Sequence, residues 1–85
     1  MSPTVYLLKG YRFFFYSREE DRKHIHVISL TGESKFWLEP TPELVKNRGH
    51  SERQLKQIKT VIEEHQHEFI AAWNRHFDLG ADECF

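Results

Sequence analysis

His24 and His26 stand two residues apart in the run HIHVISL (24–30), and on an extended strand residues i and i+2 project from one face. By the strand rise their side chains lie roughly 6.5–7 Å apart, close enough to meet one substrate. Imidazole titrates near neutral pH, so such a pair can supply a general acid and a general base. That is the requirement for metal-independent RNA cleavage in which the 2′-hydroxyl attacks its own phosphodiester. Arg12 and Lys35 would hold the phosphate and offset the charge that develops on it. Tyr16 and Trp37 would stack a base, and Asn47 would face the same site from the linker beyond the strands.

Blander readings stand beside this one. The histidines can be polar residues of a solvated sheet face, Asn47 can bond the backbone of a turn, and Trp37 can anchor a partner protein. A metal is the remaining alternative, but zinc takes at least three protein ligands, so His50, Glu39 or a second chain would have to complete the pair. His65 and His67 fall about 200° apart on a helix and do not chelate together. The reading carried forward has no metal and no cofactor.

Positioning these side chains takes strands. TVYLL (4–8) and YRFFFY (11–16) are rich in aromatic and β-branched residues and flank Lys9-Gly10, a two-residue hairpin connection. SREEDRK (17–23) has no apolar residue and reads as a solvated loop before HIHVISL. Thr31-Gly32 marks another tight turn, ESKFWL (33–38) a fourth strand, and Pro40-Thr41-Pro42 ends the pairing. Within residues 41–50, Glu43 to Asn47 suggest a short linker helix ended by Arg48-Gly49.

Ser51 and Gln54 have capping-box spacing, and Leu55, Ile58, Ile62, His65, Phe69, Ala72 with Trp73, and His76 with Phe77 follow at helical steps. This predicts a long C-terminal helix stopped near Gly80, with His65-Gln66-His67 as a candidate break. The expected fold is α+β: a four-stranded antiparallel meander covered on one face by that helix, forming one two-layer domain over residues 1–80 with a flexible tail at 81–85. Alternation puts Phe13, Phe15, Ile25, Val27, Phe36 and Leu38 in the core, with Trp73 opposite them. It leaves Arg12, Phe14, Tyr16, His24, His26, Ile28, Lys35, Trp37 and Glu39 on the open face. Arg, Lys, His and aromatic rings together are not the usual solubilising mixture.

Composition bounds the rest. With 85 residues, 12 Lys+Arg against 13 Asp+Glu and a net charge of -1, a large enclosed cavity and tight, purely electrostatic nucleic-acid binding are both disfavoured. Any RNA contact must be local. Cys84 is the single cysteine, so no disulfide framework or cysteine zinc site forms within one copy. No window approaches the ~18 apolar residues that cross a bilayer, and the expected location is cytoplasmic, away from membranes.

The strings GYRFFFYS (10–17), HIHV (24–27), KFWLEP (35–40) and Asn47-Arg48-Gly49, with Trp73 and Phe77 in the late helix, occur together in one order. As a set they resemble a small prokaryotic family, domain of unknown function 4160. The resemblance implies the toxin side of a type II toxin–antitoxin pair, inhibiting growth and neutralised by a small cognate antitoxin of the domain of unknown function 2442 type. The sequence departs from the family pattern in SREEDRK, where a proline-containing loop is common, and in its tail. Two function classes follow: a toxin whose sheet face contacts or cleaves RNA, and a non-enzymatic module that sequesters a host target through the same face, with a small metal-binding regulator as a third.

Overall fold

The computed structural model describes residues 4–15 and 22–82, with side chains described as far as residue 76. Tyr16, most of the loop before β3, Cys84 and Phe85 lie outside the described residues, as does the side chain of Phe77. Strands β1 (Thr4–Leu8), β2 (Tyr11–Phe14), β3 (His24–Ile28), β4 (Glu33–Trp37) and β5 (Glu43–Arg48) are followed by helices α1 (Glu52–Glu64) and α2 (Gln66–Asp82). The strands form one antiparallel sheet in the order β1-β2-β3-β4-β5.

The meander therefore has five strands, not four, and the expected short linker helix is instead the edge strand β5. Two features hide β5 from a pattern reading. All six of its residues are exposed, so no in-and-out alternation exists. The register with β4 also jumps, because Lys35 pairs with Lys46 and Phe36 with Leu44, leaving Val45 as an extra residue.

The six expected core residues are all buried, together with Ile58, Ile62, Phe69 and Trp73 from the helices. Rings supply much of this core: Phe13 lies 5.8 Å from Phe69, and Phe15 meets Trp73 edge-on at 5.3 Å. Each buried ring removes on the order of 150–250 Å² from water, which is how a short chain gains a sufficient core. Among the described residues no helix is long and apolar enough to cross a membrane.

Ser51 caps α1 with a full capping box: its hydroxyl accepts from Gln54 N–H, and the Gln54 side chain accepts from Ser51 N–H. The helix breaks where the sequence allows it, at His65. There Gln66 turns its amide to the sheet and donates to the carbonyls of Leu38 and Pro40 at 2.7 and 3.1 Å. Gly80 does not stop α2, which continues to Asp82.

The strand-to-helix junction is a backbone lock. Gly49 (φ +100°) lies against the Thr31–Gly32 turn so closely that a Cβ on Gly49 would overlap the Thr31 carbonyl oxygen, and one on Gly32 the Arg48 carbonyl oxygen. An ordered chain of side chains seals the junction. Gln54 Nε2–H donates to Thr31 Oγ1 (3.0 Å), Thr31 O–H to Ser29 Oγ (3.1 Å), and Ser29 O–H to His50 Nε2 (2.8 Å). His50 Nδ1–H then donates to Ser34 Oγ (2.6 Å), whose hydroxyl donates to Asn47 Oδ1 (2.9 Å). The network satisfies His50 as a neutral ring.

Candidate functional site

Register, more than sequence spacing, decides which polar groups meet. On the face away from the helices, three rows run across the sheet: Phe14–His26–Lys35–Lys46, Arg12–Ile28–Glu33–Arg48, and His24–Trp37–Glu43. The pairing thus brings Arg12, His26, Lys35 and Trp37 onto one face, as expected. It also adds Lys46 and Arg48, which the sequence reading missed because it placed them in a helix and a turn.

Aromatic rings carry cations along this surface. The Arg22 guanidinium lies 4.3 Å from the centre of the Trp37 ring, with Lys35 Nζ 5.1 Å from the same ring and Arg12 5.2 Å from Phe14. Arg22 is held there by donating to the Glu39 carbonyl at 3.3 Å, while Lys23 pairs with the Glu39 carboxylate at 3.7 Å. Arg22 also escaped the sequence reading, which assigned it only to a solvated loop. Between β3, β4 and β5 an open depression of about 330 Å³ is lined by His26, Glu33, Ser34, Lys35, Lys46 and Arg48.

The two histidines are not equivalent. His24, expected on the open face, is 1% exposed: its Nδ1–H donates to the Arg22 carbonyl at 2.8 Å, and its ring is packed between Trp37 (5.9 Å) and Trp73 (5.1 Å). The reason is that Trp73 of α2 meets His24, the first residue of β3, as well as Phe15, the residue after β2. Phe14 is buried too, stacked on His26 at 5.7 Å. His26 is half-buried, and its pKa is lowered to about 4, first by burial and then by the neighbouring His24 and Lys35 charges. At neutral pH it is an uncharged ring.

Asn47 lies across from Ser34, on the helix side of the sheet. Its amide donates to the His50 carbonyl (2.9 Å) and accepts from His50 N–H (3.1 Å), so it is engaged in the turn backbone. The structure places His50 in that same network, on the opposite side of the sheet from His26. Among the described residues no three His, Cys, Asp or Glu side chains come together as metal ligands. Trp73 is core, His67 is exposed, and His65 packs on Tyr6 at 4.6 Å.

These shifts predict a pH dependence of stability. Burial lowers the His50 pKa as well, so both rings favour the neutral form when folded. A depressed folded pKa gives stability that is present in full above the unfolded value, 6.5, and is lost as pH falls towards the folded value, about 4 for His26. We expect urea unfolding to show a loss of about 1–2 kcal/mol between pH 7 and pH 5, after allowance for partial solvent screening. His26→Asn should flatten that slope; an unchanged slope would show that His26 does not titrate differently in the folded state.

No curated protein and no solved structure matches the chain. The family model described as Domain of unknown function (DUF4160) matches residues 10–74, which span β2 to the middle of α2. The protein belongs to that family.

Proposed function

We propose that the open sheet face binds single-stranded RNA, and that the protein is a cytoplasmic, growth-inhibiting toxin of a type II toxin–antitoxin pair. A small cognate antitoxin of the domain of unknown function 2442 type would neutralise it. The pairing rests on the family resemblance. One observation carries the RNA reading: in a chain of net charge -1, cations are concentrated over rings, with Arg22 and Lys35 both on Trp37. Such an arrangement offers a base a stacking partner and its phosphate a counter-charge.

The geometry favours contact over cleavage. His24 is buried, and His26, with a pKa of about 4, has almost no protonated fraction at neutral pH from which to act as an acid. A protein-docking module is the second reading, supported by the exposed Leu44 (46%) and Val45 (40%) on edge strand β5, to which a partner can add a strand.

Inducible expression in a bacterial host, following growth and total RNA together, tests the proposal. We expect arrest with full-length RNA, relief on co-expression of the antitoxin, and loss of arrest in Trp37→Ala. RNA fragmentation would restore the cleavage reading, and unimpaired growth would overturn the toxin reading.

A further inference from the structure

The row His26–Lys35–Lys46 is electrostatically costly as it stands. Lys35 and Lys46 are direct cross-strand partners, an arrangement in which like charges destabilise a sheet, and Lys35 also helps to depress the His26 pKa. Arg48 joins them in the same depression, where Glu33, its own cross-strand partner, is the one carboxylate among the described residues. Among the described residues, three cations against a single carboxylate line a concave surface of about 330 Å³ with a positive excess, although the chain as a whole carries -1. A concave, single-sign site focuses potential on an incoming anion. The His26 ring lines the same depression and adds no charge at neutral pH.

We infer that this depression between β3, β4 and β5 is a phosphate-binding subsite, formed by Lys35, Lys46 and Arg48, which takes the RNA backbone while Trp37 and Arg22 take a base. The assignment deepens the RNA reading and rests on it for the identity of the ligand. Phosphate contacts position a nucleic acid and do not read its sequence. Lys46 and Arg48 therefore contribute affinity that is independent of base composition and sensitive to salt.

Two titrations of the full chain separate this subsite from the RNA reading. In the first, inorganic pyrophosphate is followed by amide chemical shifts; we expect changes at His26, Lys35, Lys46 and Arg48 that disappear in the double variant Lys46→Gln/Arg48→Gln. In the second, a labelled single-stranded RNA is bound at several salt concentrations. The double variant should weaken binding of oligouridine and oligoadenosine alike and reduce the log–log salt slope by about 0.7 for each cation lost. A row that served only to keep the β5 edge from pairing with other chains would leave pyrophosphate unbound, and that result overturns the subsite. RNA binding with an unchanged salt slope in the double variant also overturns it while leaving the RNA reading in place. Pyrophosphate bound at these residues with no RNA affinity in wild type would keep the anion site and sink the RNA reading. Retained helical circular dichroism in the double variant excludes unfolding as the cause.

Discussion

Gly49→Ala is expected to lower the thermal midpoint of the protein by more than about 12 °C. Two costs add at this position. The φ of +100° lies in the region that L side chains rarely adopt, which alone costs on the order of 1–2 kcal/mol. A Cβ there would also overlap the Thr31 carbonyl oxygen and crowd Gly32 Cα at 3.0 Å, and both are backbone atoms that cannot swing aside as a side chain does. Relieving the overlap means separating β5 from the β3–β4 turn and breaking the Ser29–His50–Ser34–Asn47 network, so a total of at least about 3 kcal/mol is expected. A domain of this size has on the order of 5–10 kcal/mol in all, and each kcal/mol is worth about 4–8 °C. Gly10→Ala is the control. Its φ of +87° is equally left-handed, but nothing lies within 4 Å of the added Cβ, so only the backbone cost remains. Equal midpoints for the two variants would show that the close approach at Gly49 is not a constraint.

The second large effect falls on binding. Trp37→Ala should weaken single-stranded RNA binding by about 5- to 150-fold, the range that corresponds to roughly 1–3 kcal/mol for loss of one base stack. Trp37 is only partly buried, and its removal also frees Arg22 and Lys35 from the ring over which they lie. Trp37→Phe keeps a π-face and should retain most of the affinity. If Trp37→Ala and Trp37→Phe bind RNA as wild type does, no base stacks there. Because Trp37 also packs on His24 at 5.9 Å, far-UV circular dichroism of each variant must accompany the affinities.

The elements with strong periodicity were legible in the sequence. Phe13, Phe15, Ile25, Val27, Phe36 and Leu38 alternate on strands with one buried face, and Ile58, Ile62, Phe69 and Trp73 step along a helix, so both halves of the core announce themselves. β5 did not, because an edge strand with every residue exposed and a bulge at Val45 has no period to detect. Losing β5 meant losing Lys46 and Arg48 from the site. It also misplaced Asn47, whose role in the Asn47-Arg48-Gly49 motif becomes visible only when Gly49 is seen against Thr31.

His24 illustrates a different limit. Alternation assigned it correctly to the same side as His26, but burial depends on what a distant element covers, and only the path of α2 brings Trp73 over the first residue of β3. The two histidines of one motif thereby acquire separate duties: His24 joins the sheet to α2, and His26 stays at the edge of the cationic depression.

Amide chemical-shift mapping of the isotopically labelled protein with a single-stranded RNA oligonucleotide tests most directly whether the open sheet face is the working surface. The expected result is a contiguous set of changes over Arg12, Phe14, His26, Lys35, Trp37, Lys46 and Arg48, with the outer faces of α1 and α2 unaffected. No change at any concentration, or changes confined to the helices, would contradict it.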